Sequence, residues 1–180
     1  MTKISFVVRV KNQAPWIKST INSLKKIQGN FRSEFIFIDY NSSDNSLDLI
    51  KEYSKELPRT TIVTSNKKEV YCPLKGLMLS GGEYISFLDG DNIVNPEAHN
   101  YLLDLLKLHK KAIAIGSAAN IANLTKDINS LYSLSSKKEE VNMLDYLINT
   151  QKIINVSSPC ALIKKSLLLD AVNYNNSFLY

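Results

Sequence analysis

Cysteine is scarce in this chain of 180 residues: only Cys72 and Cys160 occur, with no metal-ligand spacing between them. That excludes a disulfide framework and suits a reduced compartment. No apolar run approaches the roughly 20 residues that would span a bilayer. The start Met1-Thr2-Lys3-Ile4 leads straight into a strand pattern, so no signal peptide is visible. A cytoplasmic protein is expected, with peripheral association at the cytoplasmic face of a membrane left open. The single tryptophan, Trp16, reads as packing or rim near a helix start, and His99 and His109 read as structural or solvated. Charge of one sign is not strongly in excess. The net charge is +5, and the doublets Lys25-Lys26, Lys67-Lys68, Lys110-Lys111, Lys137-Lys138 and Lys164-Lys165 are scattered without interleaved aromatics. No nucleic-acid partner is expected from that pattern. Against these absences, a hydrophobic content of 44% and a charged content of 22% are those of an ordinary globular protein, and the length suffices for one domain with a sizeable core.

The first half alternates strand and helix. Ile4–Val10 is an apolar β-rich run, followed by a helix with Pro15 early and Ile17, Ile21 and Leu24 on one face. Phe35–Asp39 is a second strand, and Asn41-Ser42-Ser43-Asp44 supplies turn and cap residues before a helix through Leu47, Ile50 and Tyr53. Thr60–Thr64 is a third strand. Leu74, Leu77 and Met78 mark a helix closed by Gly81-Gly82, and Tyr84–Leu88 is the fourth strand. Asn95-Pro96-Glu97 reads as a helix start, continued by Leu102, Leu105, Leu106 and His109, and Ala112–Gly116 reads as a fifth strand. The second half is less regular. Asn120–Ser136 reads as a polar loop or cover, Glu139–Asn149 as a helix, Ala161–Ile163 as a short strand and Ser166–Val172 as a last helix. Such alternation predicts an α/β fold, a mostly parallel sheet with helices on both faces. The whole of 1–180 is expected to be one domain, with 1–116 as its binding half and 117–180 as a partial second half.

Chemistry concentrates in Leu88-Asp89-Gly90-Asp91-Asn92. Two carboxylates one residue apart, where an apolar strand leaves the sheet, repel each other unless something positive lies between them. A divalent cation answers that need. Hard oxygen ligands with few protein donors suit Mg²⁺ or Mn²⁺, with phosphate oxygens completing the shell. Asp39 also stands at the end of an apolar strand, and ligands of such sheets bind beyond the strands' carboxyl ends. A calcium loop does not fit: counted from Asp89, the positions that require Gly and Glu hold Val94 and Asn100. Asp44 reads as a helix cap.

Three segments together resemble family 2 glycosyltransferases of the GT-A fold. Ile4-Ser5-Phe6-Val7-Val8-Arg9-Val10-Lys11-Asn12 is similar to their opening strand. Phe37-Ile38-Asp39-Tyr40-Asn41-Ser42-Ser43-Asp44-Asn45-Ser46 is similar to their second strand and turn. Gly82 through Asn92 is similar to their metal-binding DxD segment. Ser158-Pro159-Cys160-Ala161-Leu162-Ile163-Lys164-Lys165 resembles a later strand near the acceptor site.

The resemblance implies transfer of a sugar from a nucleotide-diphosphate sugar, a UDP-sugar first among them, to a glycan or lipid-linked acceptor, with inversion and with Mn²⁺ or Mg²⁺ as cofactor. It assigns Asp91 to the metal and Asp89 to the metal or sugar. It assigns Asp39 to the base or ribose, and the backbone around Val8 to the base pocket. Arg9 and Lys75 become candidate cations near the phosphates, with Arg9 reading equally as one half of an ion pair. Tyr40 stands where the family usually has a second acid, and Pro73-Leu74 stand where it often has Arg-Asn. The family's catalytic base lies beyond the segment similar to 161–171. No residue is assigned to it, and Asp145 and Asp170 are the alternative acids. Two other readings stand beside this one. The first is a catalytically incomplete domain of the same fold that binds nucleotide or serves as an interaction module. The second is a nucleotidyltransferase, disfavoured because Val10-Lys11-Asn12-Gln13-Ala14-Pro15 has no glycine.

Overall fold

A computed structural model of the chain describes residues 1–66, 71–108, 114–115 and 161–174, the side chains of 114–115 and 171–174 excepted. Strands β1 (Lys3–Val10), β2 (Arg32–Asp39), β3 (Thr60–Thr64), β4 (Tyr84–Asp89), β5 (Ala114–Ile115) and β6 (Leu162–Lys164) form one sheet in the order β3-β2-β1-β4-β6-β5. The pairs β1–β2, β1–β4 and β2–β3 are parallel, and β6 is antiparallel to both β4 and β5. The mostly parallel sheet expected from the alternation is present, with β6 as its one strand running against the others.

Strand direction follows from the connections. Helices α1 (Ala14–Lys25) and α2 (Ser46–Tyr53) carry the chain outward from β1 to β2 to β3. Helix α3 (Cys72–Leu79) then returns it across the sheet to β4, on the other side of β1. The order of strands therefore reverses between β1 and β4, and the crevice at their carboxyl ends is the switch point of the sheet. Helices α4 (Ala98–Leu108) and α5 (Lys165–Tyr174) complete the described α-helices, and a 3-10 turn (Ser54–Glu56) follows α2.

Each strand divides its side chains between two cores. Ile4, Phe6, Val8 and Val10 of β1 join Phe35 and Phe37 of β2 and Leu88 of β4 under Ile17, Ile21, Leu24, Ile50, Leu102 and Leu103. Val7, Ile36, Ile38 and Ile85 face the opposite way, against Cys72 and Leu77 of α3 and partly buried Leu168 and Leu169 of α5. Phe6 and Phe35 stack at 5.3 Å between centroids. Burying each such ring contributes about 1.5–3 kcal/mol. Helix α3 sits close on the sheet because residue 76 is glycine: a Cβ there would run into the Val7 side chain.

Several boundaries differ from the sequence reading. Strand β2 begins at Arg32 rather than Phe35, and β4 extends to Asp89, so Asp89 is the last strand residue and not the first of the turn. Asn95 still opens the α4 region, its Oδ1 accepting the Glu97 N–H at 2.9 Å, but the helix itself starts at Ala98. Of the expected strand Ala112–Gly116, Ala114–Ile115 is described. The expected loop Asn120–Ser136 and helix Glu139–Asn149, with Asp145, lie outside the described residues. No helix among the described residues is long and apolar enough to cross a membrane.

Candidate functional site

The alternation that builds the two cores also sorts the polar residues at the strand ends. On β1 and β4, Arg9 and Asp89 are partners in the parallel register, on the face that continues Val7, Ile85 and Phe87. The Arg9 guanidinium meets the Asp89 carboxylate with both ends of its fork. Nε donates to Oδ1, and Nη2 donates to Oδ2 at 3.2 Å. Both side chains are partly buried, and bidentate pairing of this kind is among the stronger charge-assisted contacts. Asp39 extends the other face, that of Phe35 and Phe37. It is only 3% exposed. Its Oδ2 accepts the Ser42 N–H at 3.2 Å, whereas Oδ1 is buried and meets no hydrogen-bond donor. A buried acceptor left without a donor is costly, and it lies at the sheet edge where a ligand would enter.

The Asp-Gly-Asp turn is stapled from several sides. Asn92 Oδ1 accepts the Asp89 N–H at 2.8 Å, and the Asn92 N–H returns to the Asp89 carbonyl at 3.0 Å. The Gly90 N–H donates to the Arg9 carbonyl, extending the ladder past the strand. The Gly90 carbonyl accepts the Thr20 hydroxyl at 2.8 Å. A Cβ at position 90 would displace Gln13 Oε1, the end of a flexible side chain, and would press on the Val10 side chain. Asp91 stands out from this turn, exposed, with the Asn92 amide 3.2 Å from its Oδ1. Loss of hydration, and next the Asp89 charge, hold the Asp91 carboxyl above its ordinary range.

The neighbouring loops are tied together. Asn12 and Asn41 both adopt positive φ, 52° and 66°, a conformation that asparagine tolerates better than most residues. Asn12 Oδ1 accepts the Ser43 N–H at 2.8 Å, and Ser42 Oγ accepts the Asn12 N–H at 3.0 Å. Ser46 Oγ accepts the Gln13 N–H at 2.8 Å. Asp44 is a cap, as its sequence context implies, but it serves two helices: Oδ2 accepts the Ala14 N–H of α1, and Oδ1 accepts the Ser46 N–H of α2.

The structure thus gathers Arg9, Asp89 and Asp91 at the switch point, with Asp39 one strand away. Tyr40 packs partly into the second core, with the Lys11 ammonium 5.3 Å from its ring centroid. Lys75 reaches from α3 to the carboxyl end of β3, its Nζ donating to the Thr64 carbonyl at 2.8 Å. Val8 is different. Its side chain is fully buried in the first core and its backbone sits in register with both β2 and β4, so it supports Arg9 from within the sheet. Asp170 is exposed on α5. The sequence assigned no role to Lys11, Thr20 or Asn92, although Lys11 and Asn92 stand within the similar segments. Asn92 adjoins the paired acids, and its short amide at a turn was the available signal.

Among the described residues no three acids, histidines or cysteines converge as a ready metal cage. The donor set still fits a cation of the Mg²⁺ type, which takes one or two carboxylates and leaves its other positions to phosphates and water. Asp91, exposed beyond the strand end, is the carboxylate that could hold one.

The chain and its fold are matched by known proteins. Residues 5–170 match Glycosyl transferase family 2, and the chain belongs to that family. A poly(ribitol-phosphate) beta-glucosyltransferase from Bacillus spizizenii is 29% identical over 170 residues, covering 92% of this chain and 26% of that protein. A poly-beta-1,6-N-acetyl-D-glucosamine synthase from Staphylococcus epidermidis is 24% identical, covering 93% of this chain and 40% of its own length. The crystal structure of S. aureus TarS 1-349 in complex with UDP-GlcNAc superposes with a TM-score of 0.69 at 21% identity, over 94% of this chain and 47% of that one. The fold is accordingly that of the GT-A glycosyltransferases. The chain spans roughly a quarter to a half of the length of these relatives.

Proposed function

We propose that the described residues form the donor half of a glycosyltransferase that takes a nucleotide-diphosphate sugar, a UDP-sugar in the first instance, with Mn²⁺ or Mg²⁺, and serves a glycan or lipid-linked acceptor with inversion at the transferred carbon. The observation that carries this reading is Asp39: a buried carboxylate oxygen without a donor, at the carboxyl edge of a sheet whose switch point lies one strand away. A base or ribose supplies N–H or O–H donors to such an oxygen. Tyr40, at the next position, packs partly into the second core, with the Lys11 ammonium over its ring, and would meet the base from that side. Asp91 would hold the cation, and Arg9 and Lys75 would lie toward the phosphates. A bound cation would stabilise the negative charge that grows on the departing diphosphate. The protein's own part is to keep these groups in fixed register on rigid strand ends, so that little reorganisation is needed when the donor arrives. Relatives named as polymer glycosyltransferases and a neighbour solved with UDP-GlcNAc support the substrate class. The expected site of action is the cytoplasm or the cytoplasmic face of a membrane.

Calorimetric titration with a panel of nucleotides and nucleotide sugars, with and without Mn²⁺, tests the reading. Metal-dependent binding is expected, with Asp91→Ala removing the metal dependence. Asp39→Asn is expected to weaken nucleotide binding by about ten- to a hundredfold, as loss of a buried charged acceptor would. Absence of binding to every donor would overturn the proposal. Binding without transfer or donor hydrolysis would favour a nucleotide-binding module of the same fold.

A further inference from the structure

The sequence reading gives both acids of the Asp-Gly-Asp turn to the cation. The structure divides them. Asp89 has both carboxylate oxygens engaged by Arg9, and the engagement is built into the sheet, because the two residues are register partners on adjacent parallel strands. Asp91 projects from the turn to solvent. A cation reaching this edge by itself meets one available carboxylate, and a second only by displacing a bidentate guanidinium. Affinity for a hard cation rises with the number of charged ligands offered, so a single carboxylate holds it weakly. A diphosphate changes the balance, since its oxygens match the guanidinium fork as a carboxylate does.

Building on the donor-site reading above, we propose that Arg9 withholds Asp89 from the cation until a diphosphate arrives. The arriving phosphate takes over the guanidinium, and Asp89 is released toward the cation or the ribose. Nucleotide and cation then load together, and the empty protein has little affinity for the cation alone. The exchange breaks and makes ion pairs only. It needs no movement of the strands, because Arg9 and Asp89 project from the same face of the sheet and a side-chain rotation suffices.

The test is binding of Mn²⁺ to the nucleotide-free protein, followed by electron paramagnetic resonance of the free ion. Wild type is expected to bind Mn²⁺ weakly alone and much more tightly with UDP present. Arg9→Met keeps the length of the side chain but drops its charge. It is expected to tighten nucleotide-free Mn²⁺ binding about tenfold, by presenting two carboxylates instead of one, while weakening metal-free UDP binding. Arg9→Met with Asp89→Asn should lose that gain. Arg9→Lys, which keeps the charge and loses the fork, should show a smaller gain and guards against a variant that fails to fold. If wild type binds UDP with Mn²⁺ but neither Arg9 variant tightens nucleotide-free Mn²⁺ binding, the withholding role is refuted while the donor site stands. If wild type binds no nucleotide, the donor-site reading fails and this proposal with it.

Discussion

The Thr20 hydroxyl on α1 donates to the Gly90 carbonyl at 2.8 Å, in a fully buried contact between residues 70 positions apart. This bond makes α1 the floor of the Asp-Gly-Asp turn. Thr20→Val preserves the shape and leaves the carbonyl unmet. The expected cost is about 1–3 kcal/mol of stability, read as a lower urea midpoint at unchanged slope. Thr20→Ser, which keeps the hydroxyl, should recover most of it.

Gly90 and Gln13 form a second support, through contact rather than hydrogen bonding. Gln13 Oε1 is buried without a donor, and it occupies the space that a Cβ at position 90 would need. Gly90→Ala is expected to destabilise by about 1 kcal/mol, at the low end of overpacking, because the Gln13 amide can move aside. Gln13→Ala alone should cost little, and combined with Gly90→Ala it should recover part of the loss. A double-mutant cycle measured by chemical denaturation gives the coupling. Strictly additive effects would mean that the two residues do not compete for this space.

How much of this was legible in the sequence depends on range. Strand–helix alternation is a local property, and the elements from β1 to α4 fall where periodicity puts them, with ends displaced by a few residues. Asp39, Asp89 and Asp91 could be seen because charge at the end of an apolar strand is conspicuous. An ion-pair role for Arg9 could be considered, but its partner Asp89 could not be read, because the pair exists only once β4 lies beside β1 rather than beside β3. Phe6-Val7-Val8 is apolar on both faces of the sheet, so nothing in it shows that Val8 turns into the core while Arg9 turns to the crevice. The second cap served by Asp44 was hidden for the same reason: Ala14 is 30 residues away.

His99 gives a pH dependence with a definite sign. It is fully buried, its Nε2 lies 2.8 Å from Ser86 Oγ, and it meets the Phe6 ring edge-on. Burial lowers its pKa from 6.5 to about 4. The folded protein therefore keeps His99 neutral at pH values where the unfolded chain takes up a proton. Stability from this residue is complete above pH 6.5 and is lost as the pH falls toward 4. The loss amounts to roughly 3 kcal/mol at about 1.4 kcal/mol per pKa unit. Unfolding free energies measured between pH 7 and pH 4.5 should fall more steeply for wild type than for His99→Gln. Parallel slopes would show that His99 does not titrate differently in the two states.

Asp44 joins the two loops that frame the crevice. Its carboxylate holds the Ala14 N–H of α1 at 3.1 Å and, on the other oxygen, the Ser46 N–H of α2 at 3.0 Å and the Ser46 hydroxyl at 2.6 Å. Helix α1 needs this, because Gln13 at its N-cap position makes no side-chain cap bond. Some loss of hydration pushes the exposed carboxyl up, but the bonds from Ser46 and Ala14 outweigh it and hold the acid below its ordinary value of 3.8. Its contribution is thus present above that value and fades as the pH falls through the lowered pKa. Asp44→Ala is expected to cost about 1–2 kcal/mol at neutral pH, the range for a lost helix cap. Asp44→Asn retains one strong acceptor and cannot satisfy both helices at full strength, so it should fall between wild type and Asp44→Ala. Amide exchange distinguishes this from a general loss of stability. In Asp44→Ala the Ala14 and Ser46 amides should lose protection well before those of β1, whereas uniform loss across the sheet would mean that the carboxylate does not tie the two helix starts together.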